Sequence, residues 1–190
     1  MSKWKMVKLG EVSDVVSGFA FDSKQFTDDS TAMPIIRIRD VVRGFTETYT
    51  TERYDKKYVV KKGDLLIGMD GEFNIAEWKS EPALLNQRVC KIFAGNVSII
   101  EKYLLYFMPA ALKSIEDKTP FVTVKHISVK QIKEIIIPLP PIEEQKRIAD
   151  ILDKASNLID LRKQQLEKMD LLIKSKFIDM FGDPVTNPKG

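Results

Sequence analysis

A single cysteine, Cys90, leaves this chain no internal disulfide, and a single histidine, His126, leaves too few soft ligands for a zinc site. A serine or cysteine nucleophile would have to use His126, and no glycine-flanked serine accompanies it. There is no Asn-Pro-Pro-aromatic methyltransferase motif, no phosphate-binding glycine loop and no dinucleotide fingerprint. No run approaches the ~18 consecutive apolar residues of a membrane span. The start, Met1-Ser2-Lys3-Trp4-Lys5, lacks the apolar stretch of a signal peptide, so a cytoplasmic location is expected. Net charge is also scarce: 30 basic against 27 acidic residues leave +3. That balance permits nucleic-acid binding without demanding it.

What is present is an ordinary core-forming composition, 44% hydrophobic and 30% charged over 190 residues. That length suits one domain, or one domain with an appendage. The chain changes character at Pro138-Leu139-Pro140-Pro141. From Ile142 to Phe181 there is no Gly or Pro for 40 residues, which predicts one helix, about 60 Å long at ~1.5 Å per residue. Pro141 suits the first helical position, Glu143 and Glu144 suit the positive end of the dipole, and Gly182 then Pro184 close the helix. Residues 142–190 hold 9 basic and 9 acidic residues, so the surplus of +3 falls wholly on residues 1–141.

Residues 1–141 read as short strands and helices, giving an α+β class followed by a long coiled-coil helix. Strands are expected at Ile35 to Arg39, Leu65 to Met69, Arg88 to Phe93 and Ile135 to Pro138. Lys61-Lys62-Gly63-Asp64 is a turn into the second of these. A helix is expected from Glu101 to Ile115, and a short one after Ser128, where Gln131 completes a capping box. Asp70 to Leu84 has weak periodicity and reads as an excursion loop. Cys90, on an alternating strand, reads as a small inward apolar residue.

The long helix carries a heptad. Leu152, Ile159, Leu166, Ile173 and Met180 recur every seventh residue, alongside Ile148, Ala155, Arg162, Met169 and Lys176. Ile151, Leu158, Gln165 and Leu172 flank this seam. Such spacing implies a left-handed supercoil. The sequence holds no second helix of matching length, and folding back onto the N-terminal domain would overshoot a domain of this size. Arg162 and Lys176 interrupt the seam in the manner of residues that select register. An antiparallel pair of identical helices would close on a two-fold axis.

Several N-terminal residues could carry chemistry. Arg37 and Arg39, two apart on a strand, would place guanidinium groups about 7 Å apart. They match phosphates or a guanine edge, or else form a solvated strand face paired with Asp40. Asp70, Gly71, Glu72, Phe73 and Asn74 either read cytosine and adenine edges, with Phe73 stacking, or form a plain turn. Lys79, Arg88, Lys118 and Lys125 are either a cationic footprint or surface. Thr123 and His126 lie in a run suited to phosphate contacts, though a lone His is commonly structural. Glu144-Gln145-Lys146 matches the end of a nuclease metal motif, but no Pro-Asp partner lies upstream. A small nuclease or modification enzyme with an unrecognised site, or a coiled-coil scaffold that binds no DNA, remain alternatives at this point.

The run Ile137-Pro138-Leu139-Pro140-Pro141-Ile142-Glu143-Glu144-Gln145-Lys146-Arg147-Ile148-Ala149-Asp150-Ile151-Leu152-Asp153 resembles the domain-to-helix junction in specificity subunits of type I restriction-modification systems. Trp4 to Val12, Gly63 to Ile67, Asn86 to Val89 and Thr123 to Ser128 resemble the same family in the expected order. The resemblance implies a DNA target-recognition domain over 1–141 and a spacer and dimerisation helix over 142–182. Residues 183–190 resemble the lead-in to a second half that would begin at a Trp like Trp4. Family members usually carry two recognition domains and two antiparallel helices; this chain has one of each, as a truncated piece or a natural half-subunit. The resemblance implies a non-catalytic reader of double-stranded DNA, and the unpaired heptad stripe predicts that two copies pair through antiparallel helices, as a homodimer on a bipartite target. Its expected partners are a modification subunit using S-adenosylmethionine and a restriction subunit using ATP and magnesium, with no cofactor on this chain.

Overall fold

The computed structural model describes residues 4–118 and 125–182. Two compact units are present, the first running to Arg147 and the second beginning at Ile148. The first unit opens with β1 (Lys5–Lys8), β2 (Ser13–Ser17), β3 (Phe26–Thr27) and β4 (Met33–Ile36), then α1 (Asp40–Arg43) and β5 (Tyr49–Thr50). Next come β6 (Val59–Val60), β7 (Leu65–Gly68), β8 (Asn74–Glu77), β9 (Ala83–Leu85) and β10 (Val89–Ala94). It closes with α2 (Glu101–Lys118), α3 (Val129–Lys133), β11 (Ile136–Leu139) and the start of α4 (Ile142–Phe181).

The strands form a four-stranded sheet of order β2-β10-β7-β8, a five-stranded sheet of order β3-β5-β4-β9-β6, and a β1-β11 pair. All pairings are antiparallel except β4 with β9. One core joins the two larger sheets: Ile36, Val60, Ala83 and Leu85 from one, Leu66 and Val89 from the other, with Val41 of α1 and Trp78. Trp78 is fully buried and its indole N–H donates to the Glu81 carbonyl at 2.8 Å, so its polar handle is satisfied. α2 turns Leu104, Met108 and Leu112 inward at a spacing of four, the stripe expected of a helix covering a core.

The strand expected at Ile35 to Arg39 ends at Ile36. Buried Asp40 is the cause: its carboxylate accepts the Arg37 backbone N–H at 2.9 Å, and its own N–H donates to the Arg37 carbonyl at 2.8 Å. This four-residue turn, closed at both ends by Asp40, diverts the chain into α1 against its β-branched propensity. Arg37 and Arg39 therefore do not share a strand face. The expected excursion at Asp70 to Leu84 is also corrected. β8 returns antiparallel to β7, with Ile67 opposite Ile75, and β9 then enters the other sheet. β8 is an edge strand of partly buried residues, so its alternation in the sequence is weak. The strand expected from Arg88 begins instead at Val89, and α2 runs on to Lys118.

The capping box forms as read: Ser128 Oγ accepts the Gln131 N–H, and Gln131 Oε1 accepts the Ser128 N–H. α4 has the expected 40 residues. Pro141 precedes it, its carbonyl accepting from Gln145 N–H at 3.0 Å. Gln145 is fully buried: its amide donates to the carbonyls of Ser98 (2.8 Å) and Pro140 (2.9 Å) and accepts the Ile100 N–H (3.0 Å). The residue at the centre of the nuclease-like tripeptide is thus a structural tie between the helix start and the approach to α2.

Within the second unit, the heptad residues Leu152, Ile159, Leu166, Met169, Ile173 and Met180 are all exposed, Leu166 at 61%. Ile148 and Ala155 of the same seam belong to this helix, as do Arg162, whose guanidinium donates to Gln165 at 2.8 Å, and Lys176, 3.4 Å from Asp179. No helix among the described residues is long and apolar enough to cross a membrane.

Candidate nucleic-acid interface

The parallel pair β4–β9 determines where the site lies. Ile35 faces Leu84 and Ile36 faces Leu85, so Arg37 and Asn86 leave the sheet at the same end. Phe19 joins them. Its N–H donates to the Leu85 carbonyl (2.9 Å) and its carbonyl accepts Gln87 N–H (2.7 Å), while Gly18 N–H reaches the Val89 carbonyl (3.0 Å). From the other sheet, Gly68 at the end of β7 faces Val89, and Met69 N–H donates to the Arg88 carbonyl at 2.9 Å. Residues 125–127 complete the set: Gly71 N–H donates to the Lys125 carbonyl and Ile127 N–H to the Met69 carbonyl, both at 2.9 Å, with Asp70 bridged to His126. Loops from both sheets thus gather at one end.

Arg88 sits in the turn between β9 and β10 with φ of 70°, the one non-glycine residue in the left-handed region among the described residues. Its Nε lies 3.4 Å from Asp70 Oδ2 and its Nη1 3.3 Å from His126 Nδ1. His126 Nδ1 is in turn 2.5 Å from Asp70 Oδ1. A carboxylate only accepts, so Nδ1 carries the proton in this pair and Arg88 Nη1 abuts the ring without bonding to that nitrogen. The side chains of Arg88 and His126 are both substantially exposed.

The hairpin tip behind them is pinned from within. Buried Glu116 of α2 accepts Phe73 N–H at 3.3 Å, and Lys125 Nζ donates to the Glu116 carbonyl at 2.8 Å. This corrects two expectations. Phe73 is only 6% exposed and fills the interior, so it cannot stack on a base, and Lys125 is largely buried beside Glu116. Asn74 turns its amide to the Glu72 carbonyl at 3.0 Å. Gly71 and Glu72 remain exposed beside Asp70. Arg37 and Arg39 are exposed, the latter 3.8 Å from the Asp40 carboxylate. Lys79 packs its stem on Gly44 after α1, and exposed Lys118 ends α2. Thr123 lies outside the described residues.

Phe19 escaped the sequence reading. It is 41% exposed, with its ring 5.0 Å from Phe21 and 5.3 Å from Tyr58. An exposed aromatic supported on two others, beside arginines, is what a base-contacting surface uses. The signal was Gly18: a Cβ there would lie 2.0 Å from the Asn86 carbonyl oxygen, so the backbone approach needs glycine. Cys90 is buried on β10, and burial pushes its thiol up to about 12, which makes it inert.

The fold defines a class: an α+β module with loops from two sheets gathered at one end, running directly into a single long helix. Within it, the chain belongs to the type I restriction modification DNA specificity domain family, whose model matches residues 1–170. It is 40% identical over 171 residues to the EcoBI type I restriction enzyme specificity subunit of Escherichia coli, covering 90% of this chain and 36% of that subunit. It is 32% identical to the MjaVIII specificity subunit of Methanocaldococcus jannaschii, covering 91% and 46%. Among solved structures, the HsdS subunit from Thermoanaerobacter tengcongensis matches with a TM-score of 0.67 at 23% identity, covering 85% of this chain and 39% of that one. A chain solved in work on assembly and conformational transition of the type I R-M system gives a TM-score of 0.69 at 24% identity, covering 90% and 43%. At these identities the structures speak to fold. The chain spans less than half the length of the relatives it matches.

Proposed function

We propose that this chain is a DNA-recognition component of a type I restriction-modification assembly, non-catalytic itself, and that two copies pair through antiparallel α4 helices. The observation that carries the reading is the convergence of Phe19, Arg37 and Arg88 at one sheet end, in a member of a DNA specificity family. Guanidinium groups and an exposed ring supply phosphate, base-edge and stacking contacts. The exposed heptad of α4 supplies the pairing surface, since each Leu or Ile buried there gains about 1.5–3 kcal/mol. Two copies related by a two-fold axis would read inverted half-sites at a set spacing. S-adenosylmethionine, ATP and magnesium belong, in this reading, to the modification and restriction partners. The modest net charge of +3 gives this chain little long-range attraction to DNA, so binding by the isolated chain is expected to be weak.

Selection from a pool of randomised duplex DNA, with the chain assembled on its modification subunit, tests the reading. Enrichment of one discontinuous sequence supports it. An assembled complex that enriches no sequence leaves only the scaffold role, and DNA turnover by the chain alone contradicts the non-catalytic one.

A further inference from the structure

We infer that Arg88 reads a guanine in the half-site and that Asp70 is its positioning residue, an assignment that rests on the DNA-recognition reading above. The backbone is the starting point. A φ of 70° favours glycine and strains a long side chain, yet an arginine occupies the turn. The turn itself is held by main-chain bonds: the Arg88 carbonyl accepts Met69 N–H, and Val89 N–H closes on the Asn86 carbonyl at 3.2 Å, while the side chain adds only its pair with Asp70 and its contact with His126. Glycine would make the same main-chain bonds at less conformational cost. The side chain, 53% exposed, is therefore the part that the fold does not need.

That side chain is held in a defined pose. Asp70 lies 3.4 Å from Nε and is itself fixed by His126 and by the bridge between the two segments. Nε faces the carboxylate and Nη1 abuts the His126 ring without donating to it, so the guanidinium plane is set while both terminal nitrogens keep N–H donors for a partner. A planar fork with parallel N–H donors matches the O6 and N7 acceptors of guanine in the major groove, the commonest arginine contact to a base. The arginine side of the Asp70–Arg88 pair is exposed and the pair is long at 3.4 Å, so it is better suited to aiming a donor than to holding a turn.

The test compares wild type, Arg88→Gly and Arg88→Lys, each assembled on the modification subunit, by selection from randomised duplex DNA and by affinity for the wild-type site. Thermal unfolding of each chain runs in parallel. Arg88→Gly is expected to keep or raise the melting temperature. It should enrich the same sequence with one G·C position degenerate, and lose roughly 5- to 150-fold in affinity for the original site. Arg88→Lys keeps the charge without the fork and should not restore that position. An unchanged sequence preference in Arg88→Gly overturns the assignment, as does a uniform loss on all sequences, which marks a phosphate contact. A lowered melting temperature in Arg88→Gly overturns it too, because the turn would then need the side chain. If wild type enriches nothing, it is the DNA-recognition reading that fails.

Discussion

The Asn86 carbonyl oxygen occupies the space that a side chain on Gly18 would need, with 2.0 Å between that oxygen and a Cβ built there. This contact ties the end of β2 to the turn carrying Arg88 and sets Phe19 beside it. Gly18→Ala has to open the Phe19–Asn86 bridge. Overpacking of this kind costs about 1–3 kcal/mol, which urea unfolding would read as a lower midpoint at unchanged slope. Affinity of the assembled complex for its selected DNA should fall as well, because the displaced backbone is that of the reading loops.

Gln145 offers a cleaner stability probe. Gln145→Leu keeps most of the volume but strands the Ile100 N–H and the Ser98 and Pro140 carbonyls inside the protein. Each buried group left unsatisfied costs about 1–3 kcal/mol. Urea unfolding should show a loss of at least that of one such group. A neutral variant would mean that the helix start is held by something other than this side chain.

The thiol of Cys90 should be inert in the folded chain. Burial pushes it up to about 12, so at pH 8 it stays protonated as well as shielded. Alkylation followed by mass spectrometry should label no native protein and all of the protein in guanidinium. Rapid native labelling would mean that β10 opens readily.

Light scattering tests the pairing of α4. Wild type should have twice the mass of the 21.7 kDa chain, and Leu166→Asp, with a charge placed in the heptad seam, should have the mass of one. A dimer indifferent to this charge would locate the interface elsewhere.

What could be read in the sequence follows the range of the interactions. The bounds of α4, the Ser128–Gln131 capping box and the inward face of Cys90 depend on neighbours a few residues away, and all three are in the structure. The end of β4 also depends on a local contact, Asp40 to Arg37, but a β-branched run conceals it. β8 was hidden because an edge strand shows little alternation. The candidate site was legible only in pieces. Arg88, Asp70 and His126 are far apart in sequence, and nothing in Gln87-Arg88-Val89 marks a left-handed turn. Phe19 reaches the site through register with Asn86, which no local pattern carries.

Methylation mapping tests the central claim most directly. The chain would be co-expressed with its modification subunit in cells free of other methylation, and every modified base located by sequencing. The expected result is one discontinuous sequence of two inverted halves, absent when this chain is omitted. Modification that persists without the chain, or that falls on no shared sequence, would contradict the claim that it reads DNA for the assembly.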